Sequence, residues 1–273
     1  MNPRIINEKM AFRLHHCDNK VKRDVNSVEG LKKICDMIEN GAEHTPDLLW
    51  LLASYLEAKA MSHWFHGGDI ATLKNLCYNI LKLKYIGDQA PYHSFKTGYL
   101  ESEAAFFILS DHKPLLDWFS ERRSKVHLDE KKADIIKDFE YNKLQKILLW
   151  QGKFDVLGER AERFLANPPT NKVKSYIVDQ QFFLALAKGD VQGMESVVRE
   201  LMTPRRMNYR KELESTPYSE SLVASSALIY SKLAYRHGYE LDVESPNLPK
   251  EWLPIEPLDK YEDEFEFMKA YSI

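Results

Sequence analysis

His63 and His66 lie one turn apart on a helical reading, a spacing that can bring two imidazoles to one metal ion. No H-E-x-x-H frames them and no third ligand stands at a telling distance, so the pair reads as a solvated helix end and no metal site is assigned. His15 and His16 are adjacent, and neighbours on a helix or a strand point apart. The sequence has no G-x-S-x-G elbow for a nucleophile and neither of the glycine loops that cradle phosphates. Glu29, Glu101 and Glu103 are isolated carboxylates on predicted helices, where surface charge is the expected role. Cys17, Cys35 and Cys77 are spaced too irregularly for a disulfide framework or a C-x-x-C pair, which points to a reducing, cytoplasmic setting. No catalytic residue and no cofactor is expected.

Charge is more informative. Two basic clusters, Arg122-Arg123-Ser124-Lys125 and Arg205-Arg206 with Arg210-Lys211, follow predicted helices, where cations complement the macrodipole. They form no continuous basic stripe interleaved with stacking aromatics, so direct nucleic-acid binding is not expected. Residues 239–273 hold ten acids against three lysines, a net of −7, whereas the first 238 residues hold 35 bases and 31 acids, a net of +4. Asp242, Glu244, Asp259, Glu262, Asp263, Glu264 and Glu266 are the candidate contacts for a basic partner, which such a surface would attract by electrostatic steering. The competing reading is a solvated helix that buries Tyr261, Phe265 and Met268 and leaves its acids in water.

The elements that position these residues are helical. Leu outnumbers Val and Thr, 32 against 12 and 6, and glycine is scarce at 11 of 273 residues. The first 24 residues are polar and weakly periodic, and are expected to be weakly structured. Ser27 is predicted to cap a helix ending at Asn40-Gly41, and Thr45-Pro46-Asp47 to open one ending at Gly67-Gly68. Helices are predicted over 135–150, 155–165, 173–187, 191–201 and 219–236. Three joints place a glycine before an aspartate: Gly68-Asp69, Gly152 with Asp155, and Gly189-Asp190. Glycine supplies a left-handed helix end and aspartate accepts from the orphan N–H groups of the next helix, so antiparallel hairpins follow. No stretch approaches the roughly 18 apolar residues of a membrane span.

The segment after Gly238 breaks this pattern. Pro246, Pro249, Pro254 and Pro257 fall within 12 residues and forbid a long helix, while Leu248, Trp252, Leu253 and Ile255 suggest an extended strap lying on the helical body. The stretch SALIYSKLAYRHGYELDVESPNLPKEWLPIEPLDKYEDEF resembles the end of bacterial polymorphic-toxin immunity proteins of the immunity protein 49 family. The matching positions are Tyr230, Leu233, His237, Gly238, Asp242, Ser245, Pro246, Pro249, Leu253, Pro254, Pro257 and Tyr261.

This resemblance implies an all-helical cytoplasmic protein that binds and neutralises a toxin delivered by a sibling cell. The partner would be a toxin domain such as a nuclease or deaminase with a basic cleft, and the seven carboxylates become candidate toxin contacts. A peptide-binding α-solenoid adaptor is the alternative. The expected architecture is all-α, a single domain over 1–273 of packed antiparallel hairpins resembling an irregular α-solenoid. Residues 25–238 form its body and 239–273 its Pro-rich acidic end.

Overall fold

The structure, a computed structural model, describes residues 4–26, 28–42, 45–89, 100–125, 128–170 and 172–273. Among the described residues there are twelve α-helices and no strand. They are α1 (Glu8–Asn26), α2 (Val28–Glu39), α3 (Thr45–Phe65), α4 (Ile70–Gln89), α5 (Leu100–Leu109) and α6 (Lys113–Lys125). The rest are α7 (Phe139–Trp150), α8 (Phe154–Ala166), α9 (Ile177–Lys188), α10 (Val191–Leu201), α11 (Pro204–Glu214) and α12 (Ser225–Arg236). Sequential neighbours α3 with α4, α8 with α9, and α9 with α10 pack as hairpins, and α5 joins the halves by touching α4, α11 and α12. The all-α expectation holds.

Joint chemistry explains the hairpins. Gly189 adopts φ +66° at the end of α9, and Asp190 Oδ1 then accepts from the Gly193 N–H at 2.9 Å to cap α10. At the first joint Gly67, at φ +91°, supplies the left-handed turn. A side chain at Gly68 would strike the His63 ring, and Asp69 caps α4 through the Thr72 N–H at 2.8 Å. The middle joint departs from expectation. Gly152 is left-handed at φ +66°, but Lys153 takes the cap position without a side-chain bond, and Asp155 already lies inside α8. Asp155 therefore acts only on the dipole of the first turn.

Other boundaries also moved. Residues 1–24, expected to be weakly structured, contain α1, whose Met10, Leu14 and Cys17 are in the core. Their spacing, continued at Val21, is a helical stripe hidden among charged neighbours. The helix expected from Ile135 begins at Phe139, where Asp138 accepts from the Glu140 N–H at 3.0 Å. The helix expected from Val173 begins at Ile177 after a 3-10 turn over Lys172–Tyr176. The last helix starts at Ser225 and not at Ser219, because Ser221 adopts φ +64° and closes a separate turn. Ser27, as a cap, lies outside the described residues, as do the side chains of Glu29, Glu101 and Arg123 to Lys125.

Candidate functional site

The Pro-rich segment is an extended strap fastened to the helical body at four levels. Near its start, Asn247 donates to the Ser221 and Leu222 carbonyls at 2.8 and 3.1 Å, and its own carbonyl accepts from the Ala224 N–H at 2.9 Å. Next, Trp252 is fully buried against Trp64, with ring centroids 5.4 Å apart, and Leu248 and Leu253 are equally enclosed. The proline spacing that forbids a long helix leaves one 3-10 turn, Lys250–Trp252, and this stretch delivers Leu248, Trp252 and Leu253 into the core.

The third level is a buried charge cluster. Asp111, in the turn between α5 and α6, lies 2.5 Å from Lys232 Nζ of α12 and 3.0 Å from Lys74 Nζ of α4, with all three side chains at 3% exposure or less. Both lysines also grip the strap: Lys232 donates to the Pro254 carbonyl at 3.0 Å and Lys74 to the Glu256 carbonyl at 2.6 Å. Burial pushes the Lys232 ammonium down to about 8 against the pull of Asp111.

The fourth level is an asparagine clamp on α4. Asn75 accepts from the Glu262 N–H at 2.8 Å and donates to its carbonyl at 3.0 Å. One turn on, Asn79 donates to that same carbonyl at 2.9 Å and accepts from the Glu264 N–H at 2.8 Å. Tyr261 donates to the Ser110 carbonyl at 2.6 Å and packs among Tyr78 and His112.

These fastenings sort the seven candidate carboxylates. Asp263 accepts from Lys82 Nζ at 2.8 and 2.9 Å and from the Tyr78 hydroxyl at 3.1 Å, and its side chain is only 11% exposed. Glu264 pairs with Lys59. Both face inward because a strap held by its backbone at 262 and 264 brings these carboxylates against the lysines of α3 and α4. Asp242, Glu244, Asp259, Glu262 and Glu266 stay exposed. Three of them neutralise the strap's own lysines: Asp242 with Lys250, Glu262 with Lys260, and Glu266 with Lys269. No regular helix carries Tyr261 to Met268; Glu266–Ala270 is one 3-10 turn that buries Phe267 and Met268.

The remaining chemistry-bearing residues are held apart or sealed. His63 Nε2 contacts the Asp69 carbonyl at 3.1 Å, whereas His66 Nε2 faces Asp18 at 3.0 Å, so the two imidazoles have different partners. Glu103, expected on the surface, is 4% exposed and pairs with Lys84 at 2.8 Å. Beside it, Glu57 is 2% exposed, and burial and the Glu103 charge push its carboxyl up to about 8. It is therefore largely protonated at neutral pH, and the buried Oε2 of Glu103 has no hydrogen-bond partner among the described residues. Neighbouring carboxyls of unequal acidity suit acid–base chemistry, but both of these side chains are buried in the core.

A polar cluster missed by sequence reasoning lies between α9, α11 and α12. Arg210 chelates Asp179 through both terminal nitrogens, at 2.9 and 2.5 Å, and contacts Glu214 at 3.2 Å. Burial alone would raise Asp179, yet this guanidinium holds it below the usual carboxylate range. The basic run that looked like a helix-end cluster thus contains one core residue, which only the spacing of Arg210 from exposed Arg205 could have hinted.

Residues 159–252 match the model of a family described as Immunity protein 49. The match supports membership of that immunity-protein family. It spans α9 to α12 and the strap as far as Trp252. Tyr230, Leu233, His237, Gly238, Asp242, Ser245, Pro246 and Pro249 lie inside the Immunity protein 49 match, while Leu253, Pro254, Pro257 and Tyr261 follow it. The helices before the strap thus carry more of the family pattern than the sequence reading gave them. No curated protein and no solved structure matches the chain. No helix among the described residues is long and apolar enough to cross a membrane.

Proposed function

We propose that this protein is an immunity protein that binds a cognate secreted antibacterial toxin in the cytoplasm and neutralises it by covering its active or substrate-binding surface. The Immunity protein 49 match over residues 159–252 is the observation that carries this reading. The action is stoichiometric binding, with no catalytic step of its own. The toxin surface in question is basic, as in a nuclease or deaminase that grips nucleic acid. The contacts come from the exposed carboxylates Asp242, Glu244, Asp259, Glu262 and Glu266, which the strap leaves uncovered. Asp263 and Glu264 belong to the strap's own fastening and are left out of the interface.

The test is co-expression with the toxin domain encoded by the adjacent upstream reading frame. The domain alone should arrest growth, and the pair should grow and co-purify. Absence of both rescue and co-purification refutes the pairing. Replacing the five exposed carboxylates by lysine should slow association and weaken its dependence on salt. Unchanged association rates would remove these residues from the interface while leaving the immunity reading intact.

A further inference from the structure

The first turn of α12 opens into a small pocket of about 120 Å³ between α11 and the start of α1. Leu201, Met202, Met207 and Val223 provide apolar lining, and Arg210, Ser225 and Ser226 line its polar end. Three observations give that end the character of an anion site. Ala224, at the cap position, makes no side-chain cap bond, and the N–H groups of Ser225, Ser226 and Ala227 find no acceptor among the described residues. The Ser225 hydroxyl, 5% exposed, has no hydrogen-bond partner among the described residues. The Nε of Arg210, a residue 8% exposed, has none among the described residues either, although its two terminal nitrogens are paired. A helix N-terminus, an unpaired guanidinium edge and an unpaired hydroxyl share one need, an acceptor, which an anion meets most strongly.

The charges around the pocket limit which anion fits. Lys9, Arg210 and Lys211 line it, against Glu214 and Glu220. Glu220 is paired with Arg13 at 2.5 Å and Lys211 at 3.5 Å, and Glu214 with Arg210 at 3.2 Å and Lys146 at 3.7 Å. A single negative charge is balanced by this modest cationic excess, whereas a doubly charged phosphate would crowd Glu214 and Glu220. We infer that the pocket binds a monocarboxylate carried on a short apolar stem, with the carboxylate at the first turn of α12 and the stem against Met202, Met207 and Val223. A free short-chain carboxylic acid and the C-terminal residue of a protein chain present this same chemistry. Most of the lining, from Leu201 to Asn247, lies within the segment that matches the family model, so the pocket is built into that part of the chain.

The test titrates the full-length protein with N-acetyl-leucine, N-acetyl-leucinamide, hexanoate and inorganic phosphate, with binding followed by calorimetry. N-acetyl-leucine should bind at least about tenfold more tightly than its amide, the ratio expected for one charge-assisted bond, and phosphate should bind more weakly still. Ser225→Ala should reduce that preference at unchanged melting temperature, and Met207→Trp should fill the pocket and abolish binding while the chain stays folded. Hexanoate matching N-acetyl-leucine identifies a free acid as the ligand, and a clear preference for N-acetyl-leucine identifies a chain terminus; both support the site. Equal binding of the amide, equal or tighter binding of phosphate, or no binding of either carboxylate would overturn it.

Discussion

Asp111 is the point at which the strap, α4 and α12 meet, and replacing it by asparagine tests how the protein closes. The residue adopts φ +53°, a left-handed conformation that asparagine shares more readily than most side chains. Asp111→Asn therefore removes the charge with little added backbone strain. It leaves the ammonium groups of Lys74 and Lys232 buried, at 3% and 0% side-chain exposure, without a counter-ion. Breaking a buried pair in this way costs about 3–5 kcal/mol, because the orphaned charge remains desolvated. At about 2 °C per kcal/mol for a chain of this size, the melting temperature should fall by about 6–10 °C. Lys232→Met is the informative comparison. It leaves Asp111 paired with Lys74 and sacrifices mainly the bond to the Pro254 carbonyl, an unsatisfied acceptor worth about 1–3 kcal/mol. Adding Lys232→Met to Asp111→Asn should cost less than the sum of the two, since it removes one of the orphaned charges. Equilibrium unfolding in urea, read by circular dichroism, measures all three variants. Asp111→Asn losing less than about 1 kcal/mol, or Lys232→Met costing as much as Asp111→Asn, would refute the clamp.

Glu57 has a folded-state carboxyl at about 8, above its unfolded value, so the folded protein retains a proton that the unfolded chain releases. Stability should fall as pH rises from about 5 to 8, and Glu57→Gln should flatten that slope in melting curves taken across the range. A methyl group at Gly158 would come within 2.7 Å of Ala187, where α8 meets α9, so Gly158→Ala should destabilise by about 1–3 kcal/mol in denaturant titrations. Asp190→Ala removes a working cap and should cost about 1 kcal/mol, whereas Asp155→Ala at the middle joint should cost only a few tenths by the same titration.

Helix class was legible because Leu richness and glycine–aspartate punctuation are local signals that tertiary packing did not override. The strap was legible in outline for the same reason, since four prolines in 12 residues leave few conformations open. What escaped depended on partners distant in sequence. Glu103 looks like any helical surface acid until α4 brings Lys84 to it and α3 brings Glu57. Asp263 and Glu264 are indistinguishable by composition from Glu262, yet Lys82 and Lys59 draw them inward while Glu262 stays in water. α1 was overlooked for a different reason: its stripe of Met10, Leu14 and Cys17 is narrow, and the surrounding charges lower its mean hydropathy below what suggests burial.

The strap's fastenings to α3, α4 and the turn before α6 join residues 145 to 205 positions apart, from Asp111 with Glu256 to Lys59 with Glu264. During synthesis α3 and α4 are made first, and at ordinary translation rates about 10 to 40 s pass before residues 252–264 emerge to cover them. Throughout that interval the amides of Asn75 and Asn79 and the ammonium groups of Lys59 and Lys82 lack their strap partners, a row matched to an extended acidic segment. The nascent protein is thus a receptor for the very sequence it has yet to make. A second copy of that sequence, on a neighbouring polysome, can fill the row first and give strand-exchanged dimers whose yield rises with expression level.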